Sequence, residues 1–362
     1  MAGLANANRS GSYQGAQHKT YVGHIHYAAQ KAQVGKDSPL GARDMTSHWV
    51  NLQVQSVEQL GGSVVDSLLE FGEYRIRGTQ IDVTRLTRNV SSDKSKALEE
   101  KGVEMVQADL NDKDSLKRAF KNADIVYGVT NFWDPEVLKN PSLEAKQGKT
   151  LADAAKESQV RWILWSSLSN CTKESGGKIK HVIHFDGKND VEEYINSIGL
   201  PATFIYVGCY MSNFGSLLPL VPKDDQSQTL TLPEVKEDTL LDLVDAAGDT
   251  GPIVRAVLKN KDKYVGQKVP VVGDRLSMKQ IADTFTRVTG KTTKFQTMSQ
   301  DTLKNQFPYL NNDEFLDMLR WFRDFGYYGN LYGPDGSGAV EAASATGVRG
   351  TTFEEFLKKS AN

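Results

Sequence analysis

The chain has 362 residues, a formal net charge of −2 and 39 % hydrophobic residues, with charged residues at an ordinary 24 %. That length allows one large α/β domain or two domains, and the near-zero charge gives no electrostatic case for binding nucleic acid or an anionic membrane. No apolar run approaches the ~20 residues of a spanning helix. The opening residues, MAGLANANRSGSYQGAQ, lack the apolar core of a secretion signal. Two cysteines, Cys171 and Cys209, do not make a disulfide framework, so a cytoplasmic setting is expected. His24 and His26 form a His-x-His pair without nearby partner ligands, which reads as a polar tail rather than a metal site.

Residues 1–48 are rich in Gly, Ala, Gln, Ser and His with little periodicity, and read as a poorly ordered extension. Residues 49–54 alternate apolar and polar side chains as a strand does, with 19–22 as a competing candidate. Gly61 and Gly62 open a stretch of helical apolar spacing that stops at Gly72. Residues 74–77 and 81–86 each alternate like a strand, and 94–102 reads as a short helix. Strands are then predicted over 103–108, 125–129, 160–165 and 202–207, with helices over 112–120 and 142–158 between them. Strand and helix alternating at this rhythm mean βαβ units, a parallel sheet and right-handed crossovers. After residue 207 the pattern loosens: strands are expected near 227–231 and 268–272, helices over 249–258, 277–289, 313–325 and 352–359. Ser277 is placed as an N-cap.

The chemistry concentrates around residues 161–193. The apolar run 160–165 is closed by Ser166 and Ser167 at what would be the carboxyl end of a buried parallel strand, the place where open α/β sheets bind ligands. His184 and Lys188 follow at helical i, i+4 spacing and so share a face. The phosphate-binding signature of dinucleotide sites is incomplete. Gly61-Gly62 precede an apolar helix, but Gln55 and Glu58 stand where earlier glycines would be needed for close backbone approach to a pyrophosphate. A simple tight turn reads equally well. At the end of the predicted second strand, Arg88 has the planar fork suited to a 2′-phosphate, against a plain surface arginine.

Taken in order, LGGSVVDSLLEFG, LTRNVSSDKSKAL, GVEMVQADLNDKDSL, YGVTNFWD, AKQGKTLADAAKE, WILWSSLSN, HFDGKNDVEEYI and LPATFIYVGCYMSNF resemble the NmrA-like proteins, an atypical branch of the short-chain dehydrogenase superfamily, over residues 60–330. The resemblance implies an α/β fold: a Rossmann-type doubly wound parallel sheet over 49–207, and a small α+β C-terminal lobe over 208–362 that completes the cleft. It implies NADP(H), preferred over NAD(H), as cofactor. Carried over by position, Gly61 and Gly62 lie near the pyrophosphate. Thr87, Arg88 and Asn89 hold the 2′-phosphate end. Asp109 and Leu110 flank the adenine, while Val129, Thr130 and Asn131 follow the ribose and diphosphate. Lys146 approaches from the next helix, Lys188 donates to the nicotinamide ribose, and Val207, Gly208, Cys209 and Tyr210 cover the nicotinamide. The superfamily's Tyr-x-x-x-Lys pair is reduced here to His184 and Lys188.

That missing phenol favours a redox sensor or regulator that binds NADP(H) and a transcription factor or other regulatory protein, with little or no catalysis. The alternatives are an NADPH-dependent reductase of a small carbonyl or enone, with Ser166, Ser167, His184 and Lys188 as candidate catalytic groups, and a cofactor-free interaction protein. Direct nucleic-acid and membrane partners are not expected, and a nuclear role rests on family analogy alone. Two segments depart from the family pattern, residues 23–59 and an apparent insertion at 78–85, as retained introns would produce.

Overall fold

A computed structural model describes residues 49–53, 58–72, 74–81, 93–308 and 312–360. Six strands carry most of the main sheet: β1 (Trp49–Gln53), β2 (Arg75–Ile81), β3 (Glu104–Ala108), β4 (Ile125–Gly128), β5 (Trp162–Ser167) and β6 (Ala202–Val207). The strand Lys268–Val271 adds itself to the free side of β6. Across the sheet the order is Lys268–Val271, β6, β5, β4, β1, β2, β3, and every pairing is parallel. β1 therefore has β2 on one side and β4 on the other. This reversal of winding is the switch point at which doubly wound sheets open a crevice.

The helices that matter for the cleft are α1 (Glu58–Phe71), α2 (Asp93–Glu100), α3 (Lys113–Ala119), α4 (Pro135–Lys139), α5 (Ser142–Glu157), α6 (Cys171–Glu174), α7 (Ile183–Ser197) and α8 (Ala246–Lys259). All residues of β5 and β6 are buried. This is why WILWSS and ATFIYV read as unbroken apolar runs: a parallel strand is covered on both faces. One core holds Val64, Leu68, Trp162, Leu164 and Val254 with α1 and α8, and the other holds Leu116, Leu151, Ile163, Trp165 and Val191 with α3, α5 and α7. Trp162 and Leu164 thus face one layer, Ile163 and Trp165 the other, by the period-two alternation of a strand.

α1 and α8 approach closely because Gly251 has no side chain. A Cβ there would stand 2.0 Å from the Ser63 carbonyl oxygen, and the Gly251 amide donates to Ser63 Oγ at 2.9 Å.

Smaller sheets form the rest. Cys209–Tyr210, Leu240–Val244 and Asp274–Ser277 make one, while Leu220–Pro222, Gln228–Leu232 and Thr293–Thr297 make the other. Ser277 caps the helix Met278–Thr289 in a full capping box with Gln280. The aromatic-rich helix Asp313–Phe325 has the bounds expected from sequence.

Three expectations change. α1 begins at Glu58, so Gly61 and Gly62 lie in its first turns instead of ahead of it. The apolar stripe of Leu60, Val64, Val65 and Leu68 is already buried from Leu60 onward. Next, β2 runs unbroken from Arg75 to Ile81, across the break expected between strands at 74–77 and 81–86; residues 82–86 lie outside the described residues. Gly78, read as the start of an insertion, pairs with Leu52 of β1 and Met105 of β3, because two flanking ladders hold a residue whose lack of side chain breaks the alternation. Lastly, Lys268–Val271 belongs to the main sheet although it comes from the stretch assigned to the smaller lobe. The extension at 1–48 with its His24–His26 pair, the segment 54–57 and the segment 82–92 lie outside the described residues.

Candidate functional site

Beyond β4 the chain reads Val129-Thr130-Asn131-Phe132-Trp133-Asp134-Pro135, and turn chemistry sets its course. Asn131 Oδ1 accepts the Trp133 amide at 3.1 Å, and Asp134 Oδ1 accepts the Glu136 amide at 2.8 Å as the N-cap of α4, with Pro135 at the first helical position. Phe132 and Trp133 are thereby held over the carboxyl end of the sheet. Trp133 is 55 % exposed, an unusual position for so large an apolar ring.

Beneath them a cavity of about 280 Å³ is lined by Thr130 and Asn131 after β4, Ser166 at the end of β5, Val207, Cys209 and Tyr210 after β6, and His184 and Lys188 from α7. Met318, Phe322 and Tyr327 close it from the C-terminal side.

Lys188 does not project freely. Its ammonium forms an ion pair with Glu144 of α5 and donates to Thr130 O and Oγ1, each at 3.2 Å. Thr130 Oγ1 donates in turn to Glu144 Oε1 at 2.8 Å. Glu144 is 1 % exposed, and its second oxygen, Oε2, is buried with no hydrogen-bond partner. A carboxylate oxygen buried without a donor is costly; Glu144 lies behind Lys188 and Thr130, which line the cavity, and anchors the ammonium there. The residues present fit the ribose of a nicotinamide nucleotide, with Lys188 as the group that would hold it and Glu144 as its anchor.

The paired serines separate. Ser166 shares the face of Leu164 and lines the cavity. Ser167 points to the opposite layer, where its hydroxyl donates to the buried Glu192 of α7. Adjacent strand residues cannot face the same crevice, so Ser166 alone is placed for cavity chemistry.

His184, 9 % exposed, lies in the first turn of α7. Its Nδ1 is hydrogen-bonded to Glu314 of the helix Asp313–Phe325. The same carboxylate accepts the amides of Ile183 at 3.0 Å and His184 at 3.3 Å, capping a helix whose own N-cap residue, Val182, supplies no side-chain bond. Three residues further along that helix, Asp317 accepts His181 Nδ1 at 2.8 Å and the amides of Lys180 and His181, both at 3.2 Å. Burial opposes ionisation of Asp317, but these bonds and that from Arg320 hold its carboxyl below the usual range.

The other titratable groups of the cavity are quiet. Burial pushes the Cys209 thiol up to about 12, and burial likewise raises the phenols of Tyr210 and Tyr327. None of these takes the place of the absent tyrosine.

Of the remaining predicted positions, Val129 and Leu110 are each 1 % exposed; Val129 lines the cavity, whereas Leu110 is a core side chain away from it. Asp109 shapes the turn after β3, accepting the Asn111 amide at 2.8 Å. Gly208 is confined: a Cβ there would stand 2.8 Å from Asp242 O. Lys146 is exposed on α5 and does not reach the cleft. Glu144 is the α5 side chain that meets Lys188 and Thr130. The signal was present in the sequence, since the buried stripe Gly148, Leu151, Ala152, Ala155 continues back through Gln147 to Glu144 and leaves Lys146 outside. Glu314 had no such signal, because nothing local ties it to residue 184. Thr87, Arg88 and Asn89 lie outside the described residues. Among those described, no three His, Cys, Asp or Glu side chains cluster as metal ligands, and no helix is long and apolar enough to cross a membrane.

The sequence profile of the NmrA-like family matches residues 57–357. The chain belongs to the NmrA-like family. An NmrA-like family domain-containing protein of Dictyostelium discoideum is 27 % identical over 309 residues, covering 83 % of this chain and 93 % of that one. The NmrA-like family domain-containing oxidoreductase lnaB of Aspergillus flavus is 28 % identical over 247 residues, covering 65 % of this chain and 72 % of its own. Among solved structures, NmrA, a negative transcriptional regulator in complex with NADP, superposes with a TM-score of 0.69 at 20 % identity, over 86 % of this chain and 95 % of that one. At that identity the likeness shows the fold, and the parallel sheet of this NmrA-like chain agrees with it.

Proposed function

We propose that this NmrA-like protein binds NADP(H) across the carboxyl ends of β4, β5 and β6 and reduces a small carbonyl or enone compound. The observation that carries the reading is Lys188, held by Glu144 and Thr130, in the lining of a largely apolar cavity that His184 also lines. NADPH, when bound, supplies a hydride. Lys188, anchored by Glu144, orients the ribose, and Phe132, Phe322 and Tyr327 keep water from the reacting face. The relative named as an oxidoreductase supports this reading.

Preference for NADP(H) over NAD(H) rests on Arg88. Fluorescence titration with NADPH and NADH tests both points. Tight binding of NADPH is expected, with about tenfold weakening, ~1.4 kcal/mol, in Lys188→Met. Equal affinity for the two nucleotides would remove the preference, and binding of neither would leave the cofactor-free interaction reading.

The second reading is a redox-responsive regulator that holds NADP(H) and a protein partner, such as a transcription factor, without turnover. Two observations favour it: the missing Tyr of the Tyr-x-x-x-Lys pair and the regulator NmrA among structures of the same fold. The sequence alone ranks it first. The hydrogen bond between Glu314 and His184 reverses that order, because it gives the cavity a group equipped for proton transfer. A protein that binds NADPH but oxidises it with no carbonyl compound would restore the regulator reading.

A further inference from the structure

The structure assigns His184 and Glu314 as the proton-donating pair of this cavity, acting on a flat, aryl-conjugated carbonyl compound; the assignment rests on the NADP(H) reading above. Because Nδ1 is bonded to the Glu314 carboxylate, it carries a hydrogen, and Nε2 is left as the atom that takes and gives a proton. Nε2 has no hydrogen-bond partner among the described residues. Glu314 cannot turn away, because both of its oxygens also accept amides at the start of α7. Asp317 does not compete for the ring, since His181, two backbone amides and Arg320 already occupy it. The other ionisable groups facing the cavity are Lys188, committed to Glu144 and Thr130, and Cys209, Tyr210 and Tyr327, which burial keeps protonated.

The walls select the substrate. Phe132, Trp133 and Phe185 pack on the imidazole, with ring centroids 5.3, 5.8 and 4.8 Å from its own, and with Phe322 and Tyr327 they line the cavity; such aromatic walls favour an aromatic plane. Its lining offers no cluster of cations for a phosphate or carboxylate, since the one lysine there is neutralised. The step balances. The carbonyl carbon accepts the hydride, the C–O π pair moves to oxygen, and oxygen bonds the Nε2 proton of the imidazolium form of His184, which is left neutral with its remaining hydrogen on Nδ1 toward Glu314. The imidazole then regains a proton from solvent at the rim, beside the exposed Trp133.

The test uses the full chain, NADPH and benzylideneacetone as the aryl enone. Wild type is expected to bind NADPH and to oxidise it in the presence of benzylideneacetone. His184→Asn should bind NADPH within twofold of wild type yet turn over at least about a hundredfold slower. Glu314→Gln should lower kcat about tenfold and move the pH profile of kcat, with NADPH affinity again unchanged. Independently of turnover, nitrogen-15 spectra of the imidazole in the protein without nucleotide should place the hydrogen of neutral His184 on Nδ1, and Glu314→Gln should weaken that preference. Wild-type turnover in His184→Asn, or neutral His184 carrying its hydrogen on Nε2 instead of Nδ1, overturns the pair. Binding of NADPH by wild type with no oxidation overturns the pair and its substrate class but leaves the cofactor in place. Failure of wild type to bind NADPH overturns the cofactor reading, and the catalytic assignment falls with it.

Discussion

Two buried glutamates on adjoining helices, each paired with a lysine, are used in different ways. Glu192 of α7 is saturated. One oxygen meets Lys268 at 2.9 Å, and the other accepts Ser167 and the Tyr206 hydroxyl, the latter at 2.7 Å. Lys268 also donates to Tyr206 at 3.0 Å. Glu144 of α5 is only half satisfied, with Oε1 committed to Lys188 and Thr130 and Oε2 bare. The same residue pair is thus fully satisfied in one place and half satisfied in the other, where its lysine lines the cavity. The strand alternation that sends Ser166 toward the cavity and Ser167 toward Glu192 divides the two sites.

The largest effect should come from emptying the saturated site. Glu192→Ala removes acceptors from three donors and leaves a cavity, and should cost about 3 kcal/mol in urea unfolding, with NADPH affinity unchanged in whatever fraction remains folded. An affinity loss equal to that of a Glu144 variant would erase the contrast.

Next comes a change that strikes both sites at once. Gly148 lets α5 lie against α7; a Cβ there would stand 2.5 Å from Val191 and 2.9 Å from Trp165. Gly148→Ala should therefore cost about 2 kcal/mol through overpacking and also weaken NADPH binding, since it separates the helices that carry Glu144 and Lys188. Thermal unfolding together with nucleotide titration checks both parts.

Glu144→Gln should show the reverse balance. The amide keeps an acceptor, so stability should fall by only about 1 kcal/mol, while NADPH affinity falls about tenfold by titration.

The smallest effect concerns the C-terminal helix. Asp317 has its carboxyl held below the ordinary value. Its contribution is therefore present above pH ~4 and is lost as pH falls through the lowered value of the folded state. Asp317→Asn should lower stability modestly through the neutral region and flatten the acid limb, so that urea midpoints of variant and wild type, apart at pH 7, converge between pH 5 and pH 2.

Much of this architecture is legible in the residues. Continuous apolar runs announced β5 and β6, helical stripes announced α5 and the helix Asp313–Phe325, and the serine–lysine spacing pointed to the cleft. What was not legible depended on contacts distant in sequence. Gly78 reads as a break because its place between two ladders is set by β1 and β3. Lys146 read as a cofactor lysine because a motif gives its position along the helix but not its azimuth, which the stripe ending at Glu144 would have supplied. His184 reads as a lost tyrosine until Glu314, 130 positions away, is seen against its ring.

The seventh strand of the sheet has a consequence for how the protein is made. When the ribosome has delivered β6, the outer edge of that strand still lacks its neighbour, and the stretch that covers it, Lys268–Val271, emerges only after α8. For that interval the nascent chain presents an apolar parallel edge, the kind of surface that recruits a second copy or a holding chaperone. A fragment ending at residue 207 would keep that edge for good, so nucleotide binding and solubility should both require translation to run past Val271.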